Sequence, residues 1–303
     1  MESSCSTDPK PGLTRVFIWC VPRSLSTVLT KCLSYVDGIQ IFDEPCISAF
    51  KYGPEGKTPI ANQLDQIESI RASALNQEVL FEHAFDDSKC TYGWIRQQLE
   101  ADYPGKKVLL VRDHAIFLDA KYDTIPPGFR HVFLIRHPYK VFPSYKSALT
   151  KHLNMDNDTT NWNELLKAID RSNCSYEMQF KLLKYVQEHF DANPVIIDAD
   201  DLQGNPSSIL SQFCQAVGIP YSDSLLEWPP GHDIMKTWKG SKLQMQGGLL
   251  ENENGYFENA MKSRRFFPVT ATPKRSELSQ DLQEAADYSM PFYEKMYQMR
   301  LNP

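Results

Sequence analysis

The stretch VFIWCVPRSLSTVLTKCLSY, residues 16–35, decides the fold of this chain. A β-rich apolar run comes first, a short loop of Pro, Arg and hydroxyl residues follows, and a segment with the apolar periodicity of a helix ends it. This is the order of a strand-loop-helix that cradles a phosphate with backbone N–H groups and the positive end of the helix. Arg23 would add a charge to such a site. Hydroxyl groups would come from Ser24, Ser26 and Thr27.

The loop departs from the nucleotide-binding motif G-x-x-x-x-G-K-[ST] of kinases and NTPases. Ser26 stands where that motif has its lysine, and Leu25 stands where a glycine is expected. The sequence therefore predicts a phosphate site without a Walker lysine.

The composition is that of one globular α/β domain. Of the 303 residues, 42% are hydrophobic and 23% are charged, which is enough for a substantial core. We predict a flexible N-terminal tail over residues 1–13 and a single domain over 14–303. The formal net charge of −6 disfavours nucleic acid as a partner, so an anion site must be a local basic pocket.

The cysteines and the apolar runs indicate a cytoplasmic protein. Seven cysteines are scattered without a C-x-x-C pair, which predicts reduced packing thiols and no metal site. The first fifteen residues are polar, and the apolar runs elsewhere are too short for a membrane span. No membrane association is expected.

Short apolar segments alternate with helical patterns along the chain. Helical spacing occurs over residues 60–75, 94–99 and 162–190, the last with an expected break near 172–173. This alternation predicts a central parallel sheet with helices on both faces, a three-layer arrangement. The predicted strands are 16–20, 39–42, 108–111, 131–135 and 195–197.

The C-terminal third contains two predicted helices and an irregular stretch between them. One helix begins near Pro206 and ends at Gly218, and the last runs from about 276 to 299. Residues 221–272 lack periodicity but are rich in aromatic residues, so we interpret them as an ordered lid-like region over the carboxyl edge of the sheet.

A second motif brings a family resemblance. Residues 132–149 read VFLIRHPYKVFPSYKSAL, with Arg136 closing a strand and Ser144 eight residues later in the next helix. Together with the first loop, this resembles the P-loop sulfotransferases that use 3′-phosphoadenosine 5′-phosphosulfate (PAPS). The segment VIIDADDLQGNP at 195–206 is similar to a third motif of that family. The resemblance covers roughly residues 14–225.

The resemblance implies the binding roles. Arg136 and Ser144 would hold the 3′-phosphate of PAPS, the co-substrate, and no metal would be needed. The basic cluster Lys262–Arg265 lies about where relatives close a loop on that phosphate, although a solvated charge run is an equal alternative. The 5′-phosphosulfate would be held by Arg23, Ser24, Leu25, Ser26 and Thr27.

Two strand-end residues are candidates for the base that deprotonates the acceptor. Glu44 follows the second strand in F-D-E-P, and His114 follows the third in V-R-D-H. We place Glu44 slightly ahead, with Arg112 or His114 then stabilising charge on the sulfuryl oxygens. Arg23 is expected to serve catalysis as well as binding.

The leading hypothesis is a sulfotransferase that acts on a hydroxyl or amine of a small molecule. A non-catalytic adenosine-phosphate-binding protein is the alternative from a different class, because a fold alone does not establish activity. A P-loop kinase is less favoured, since the Walker lysine is missing. The acceptor and the oligomeric state have no signature in the sequence.

Overall fold

The computed structural model describes residues 12–55, 85–86, 89–168, 175–242 and 257–303. Within these residues the chain forms a six-stranded sheet of order β5-β4-β1-β3-β2-β6, and every neighbouring pair is parallel. All five predicted strands are confirmed, and each extends the predicted range by one or two residues. The strands are β1 (Thr14–Cys20), β2 (Ile39–Asp43), β3 (Val108–Asp113), β4 (Arg130–Ile135), β5 (Val195–Asp198) and β6 (Lys239–Gly240).

The helices alternate with these strands as predicted. The helix expected from Pro206 ends at Val217, and Gly218 follows with a φ of 76°, the left-handed conformation that favours glycine after a helix. The helix predicted over 60–75 and the break predicted near 172–173 lie outside the described residues. The helices are α1 (Ser26–Leu33), α2 (Pro45–Ile47), α3 (Tyr92–Glu100), α4 (Pro138–His152), α5 (Trp162–Ala168), α6 (Ser175–His189), α7 (Ala199–Gly204), α8 (Pro206–Val217), α9 (Glu258–Lys262) and α10 (Gln280–Tyr297).

Successive residues of each central strand feed two separate hydrophobic clusters. Phe17 and Trp19 of β1 belong to the cluster that α3, α4, α6 and α10 cover. Val16 and Ile18 belong to the cluster covered by α1 and α8. Because side chains alternate across a strand, this division places helices on both faces of the sheet, and the predicted three-layer architecture is confirmed.

The described aromatic residues of the irregular stretch, residues 221–272, mostly pack into the second hydrophobic cluster. Trp228 and Trp238 are buried there, and β6 adds a short edge strand beside β2. Phe267 is exposed. Most of the described aromatic residues of the irregular stretch therefore pack against the core. A role of this stretch as a lid stays a prediction. Within the described residues, no helix is both long enough and apolar enough to span a membrane.

The strand order creates a switch point beside β1. The chain leaves β1 through α1 toward β2 on one side, returns to β3, and then crosses to β4 on the other side of β1. At such a point the connections after two neighbouring strands diverge and open a crevice at the carboxyl edge, where ligands of open α/β sheets bind.

Candidate active site

The loop after β1 has a strained backbone. Arg23 has a φ of 63° and Leu25 a φ of 68°, both in the left-handed region that side chains with a Cβ rarely adopt. The Ser24 hydroxyl donates to the carbonyl of Val21 at 2.7 Å and closes the turn. Strain of this kind persists where surrounding structure enforces it, and it concentrates at ligand sites. Leu25 as N-cap of α1 provides no polar side chain for the helix start, which favours an external anion there.

Two motifs that are far apart in the sequence meet at the switch point. The Arg23 Nε donates to the Ser144 hydroxyl at 3.2 Å. Arg136 Nη1 donates to the backbone carbonyl of Arg23 at 3.2 Å. The Tyr176 hydroxyl donates to the backbone carbonyl of Arg136 at 2.5 Å. The structure thus brings three of the seven predicted phosphate ligands, Arg23, Arg136 and Ser144, into one cluster between β1 and β4.

Lys140 and Asp200 adjoin this cluster, and neither was predicted as a site residue. The Asp200 carboxylate accepts from Lys140 Nζ at 2.5 Å and lies 3.4 Å from Arg136 Nε. Lys140 also donates to the backbone carbonyl of Thr270 at 2.5 Å. Lys140 and Ser144 are four residues apart on α4 and so share one helix face.

A second cluster lies on the other side of β1, at the ends of β2 and β3. Arg112 Nη1 donates to Glu44 Oε1 at 2.8 Å and to the Ser26 hydroxyl at 3.1 Å. The Asp43 carboxylate lies 2.6 Å from Nη2 of the same guanidinium. A single buried arginine therefore connects the first residue of α1 to the candidate base. Glu44 itself has a left-handed φ of 47°, a third strained residue at this edge.

The hydrogen bonds of His114 and the direction of its pKa shift together indicate its protonation. Nδ1 lies 2.8 Å from the Cys20 carbonyl, which can only accept, so Nδ1 carries a proton. Nε2 lies 3.0 Å from Glu44 Oε1, a contact that requires one shared proton. Burial by itself lowers the pKa of His114, but Cys20 and Glu44 raise it more, and the net pKa is well above 6.5. His114 therefore holds the shared proton, and Glu44 is the carboxylate of the pair.

Two further carboxyl groups complete this cluster and were not singled out from the sequence. Asp113 accepts from the backbone N–H groups of Cys46 and His114, both at 2.7 Å, and so fixes the turn that carries Glu44. Burial, with the charge of Glu44 added, raises the pKa of Asp113 to about 7. Burial raises the pKa of Asp43 to about 6 although Arg112 opposes it. Their positions directly before Glu44 and His114 were the available signal.

The His114–Glu44 pair should make stability depend on pH. Because the folded pKa of His114 lies above its ordinary value of 6.5, the stabilising contribution is complete below pH 6.5 and is lost as the pH rises through the folded value. We expect the free energy of unfolding of the native protein to fall over this interval relative to that of His114→Gln. Urea denaturation of both proteins between pH 6 and pH 9.5, at constant ionic strength, measures the difference; parallel curves would contradict the proton assignment.

The basic cluster Lys262–Arg265 follows α9 at the surface. Arg264 and Arg265 are exposed, and Lys262 pairs with Glu258 at 2.6 Å. The backbone here is anchored to α1, because the buried Lys31 ammonium donates to the carbonyls of Ala260, Met261 and Ser263. Whether this cluster closes on a ligand stays a prediction.

Taken together, the fold and these residues define an α/β protein with a basic cluster at the carboxyl edge of a parallel sheet, next to a loop that lacks a Walker lysine. Residues 169–298 match the family model described as a sulfotransferase domain. The sulfotransferase resemblance predicted from the sequence is confirmed by this match. The matched part begins after Ser144, so it includes neither the loop after β1 nor the motif around Arg136 and Ser144, and the binding roles of those residues stay predictions.

One curated relative and several solved structures are similar to this chain. An Arabidopsis thaliana protein named branched-chain-amino-acid aminotransferase-like protein 2 is 25% identical over 223 residues, or 71% of this chain. The match covers 32% of that protein, so the chain spans about a third of its length.

Several of the similar solved structures are named sulfotransferases, and their sequence identity to this chain is low. A sulfotransferase domain from the curacin biosynthetic pathway is 15% identical, with a TM-score of 0.47 and coverage of 92% of this chain and 97% of that one. The domain from the Synechococcus PCC 7002 olefin synthase is 17% identical, with a TM-score of 0.41 and coverage of 92% and 96%. A mouse sulfotransferase crystallised with PAP (3′-phosphoadenosine 5′-phosphate) is 11% identical. Its TM-score is 0.43, and the match covers 94% of this chain and 88% of that one.

Proposed function

We propose that this protein transfers the sulfuryl group of PAPS to a hydroxyl or amine of a small-molecule acceptor. The observation that carries the proposal is the meeting of Arg23, Ser144 and Arg136 at the β1/β4 switch point, with Glu44 connected to the same loop through Arg112 and Ser26. One loop thus lies between a cluster suited to bind phosphate and a cluster suited to accept a proton.

The residues at the switch point fit a nucleotide whose ribose carries phosphate groups at both the 3′ and the 5′ positions. Guanidinium groups stay charged at all relevant pH values and can donate two hydrogen bonds to one phosphate. The N–H groups that begin α1 would hold the 5′-phosphosulfate, and Arg136 with Ser144 would hold the 3′-phosphate. A requirement for the 3′-phosphate would distinguish this site from a site that binds AMP or ATP.

The proposed reaction is an in-line displacement at sulfur. The acceptor oxygen or nitrogen forms the new bond to sulfur as the bond from sulfur to the 5′-phosphate oxygen breaks, and 3′-phosphoadenosine 5′-phosphate leaves with that electron pair. The acceptor loses its proton to a base of the protein. Fixed N–H groups and Arg23 would stabilise the charge that develops on the oxygens.

Glu44 is the base that the hydrogen bonds favour. Because the pKa of His114 is raised well above 6.5, we assign protons to both of its ring nitrogens, which leaves no lone pair with which to accept another. The two groups together accept one proton, and the carboxylate receives it. The guanidinium of Arg112 is engaged by Asp43, Glu44 and Ser26, which supports a positioning role in place of the predicted contact with sulfuryl oxygens.

The compartment is also a proposal. The five cysteines of the described residues are buried and form no disulfide, which fits a reducing environment such as the cytoplasm. Of the described residues, no group of three or more His, Cys, Asp or Glu is placed to hold a metal ion.

A turnover assay tests the proposed function. The purified protein is incubated with PAPS labelled in the sulfuryl group and with a panel of phenols, aliphatic alcohols and amines, in EDTA. Transfer of label to an acceptor is the expected result. Binding of PAPS without transfer to any acceptor would favour the non-catalytic alternative, and phosphoryl transfer from ATP that requires Mg²⁺ would favour a kinase.

A further inference from the structure

The carboxylate of Asp200 lies between the two cations that flank the proposed 3′-phosphate site. It is 2.5 Å from Lys140 Nζ and 3.4 Å from Arg136 Nε, and its side chain is only 20% exposed. The carboxylate of Asp200 thus pairs with the same two cations that we propose bind the 3′-phosphate. Its neighbour Asp201 is engaged elsewhere, at 2.6 Å from Arg300 Nε.

The position of Lys140 makes it more than the partner of one aspartate. Its side chain is 4% exposed, and its ammonium lies between Asp200 and the Thr270 carbonyl. On α4 it is one turn from Ser144, which contacts Arg23 of the phosphate loop. An ammonium buried at this place is costly unless anions surround it, and a phosphate held by Arg136 and Ser144 would be a second anion beside it.

We propose that Asp200 competes with the 3′-phosphate for Arg136 and Lys140, and that Lys140 is a further ligand of that phosphate. This inference rests on the proposed function, because it assumes a donor with a 3′-phosphate. When the nucleotide binds, the phosphate takes over hydrogen bonds that Asp200 accepts in its absence. Asp200 thereby weakens donor binding and eases release of the product nucleotide, which keeps the same 3′-phosphate.

The opposite role for Asp200 would be to orient Arg136 for the phosphate. The two roles predict opposite signs for Asp200→Asn, which keeps the size of the side chain and removes its charge. If Asp200 competes with the phosphate, removal of its charge strengthens binding of the nucleotide. If Asp200 orients Arg136, removal of its charge weakens that binding. A charge beside a partly buried phosphate changes affinity by about tenfold.

The test is calorimetric titration of four proteins with 3′-phosphoadenosine 5′-phosphate and, separately, with AMP. Asp200→Asn should bind the bisphosphate about tenfold more tightly than the native protein does, and Lys140→Met about tenfold more weakly. Both should bind AMP as the native protein does, because the effects act on the 3′-phosphate. Asp201→Asn is the matched control, since it removes the same charge one residue away without touching Arg136 or Lys140, and it should change neither affinity.

The outcomes separate this inference from the proposed function. Weaker or unchanged binding of the bisphosphate by Asp200→Asn, with the fold intact by circular dichroism, would overturn the inference alone. An equal gain for Asp201→Asn would also overturn it, because the effect would then be general electrostatics. A native protein that does not distinguish the bisphosphate from AMP would overturn the proposed function and this inference with it.

Discussion

Replacement of Glu44 by glutamine should reduce kcat by about 10² to 10⁴-fold, the range that removal of a general base typically costs. The glutamine oxygen can still accept the hydrogen bond from Arg112 Nη1 that Glu44 accepts at 2.8 Å, so the loop and the arginine should stay in place. What the variant lacks is a group that takes the acceptor's proton. The measurement is steady-state transfer from PAPS to any acceptor that the panel identifies.

Donor binding provides the control for this variant. Glu44→Gln should bind 3′-phosphoadenosine 5′-phosphate nearly as the native protein does, because the proposed 3′-phosphate ligands lie on the other side of β1 and the contact of Arg112 with Ser26 is kept. His114→Gln should retain more activity than Glu44→Gln, since His114 orients the base and does not act as one. If His114→Gln abolished transfer while Glu44→Gln preserved it, His114 would be the base and the proton assignment would be wrong.

Replacement of Arg136 by glutamine should weaken donor binding by about 1.5 to 3 kcal/mol, the amount that a hydrogen bond to a charged group contributes. This corresponds to a loss of affinity of roughly tenfold to 150-fold. The loss should be larger for 3′-phosphoadenosine 5′-phosphate than for AMP, because Arg136 is assigned to the 3′-phosphate. A smaller loss for AMP is also expected, since Arg136 supports the phosphate loop through the Arg23 carbonyl.

Arg130→Gln is the matched control for Arg136→Gln. Arg130 begins the strand β4 that Arg136 follows, so it lies at the opposite edge of the sheet, where it pairs with Asp191 at 3.4 Å. Its replacement removes the same charge and should leave both affinities unchanged. Equal losses in the two variants would indicate a general effect of net charge, and an unchanged affinity in Arg136→Gln would refute the placement of the 3′-phosphate.

Much of the sheet was predictable because its strands are continuous apolar runs. Residues 16–20 and 131–135 are buried on both faces, and burial of that kind leaves a direct trace in the sequence. The strand β6 was not predictable, because Lys239 and Gly240 have no apolar pattern and join the sheet only through their neighbours in space.

The site residues that lie at strand ends could be predicted from the sequence. The roles that depend on a contact with a residue distant in the sequence could not. Glu44 and His114 follow strand ends, so their meeting at the carboxyl edge could be expected. The engagement of Arg112 by Asp43 depends on the register of β2 against β3, which pairs these residues directly. The contact of Lys140 with Asp200 joins residues 60 positions apart on different helices, and no local pattern encodes it.

The central claim is a pocket that requires a 3′-phosphate, and direct titration tests it. The native protein is titrated with 3′-phosphoadenosine 5′-phosphate, AMP and ATP in a buffer without metal. Binding of the bisphosphate that is much tighter than binding of AMP or ATP is the predicted result. Equal binding of all three, a preference for ATP that requires Mg²⁺, or no binding of the bisphosphate would contradict the assignment of a sulfotransferase-type donor site.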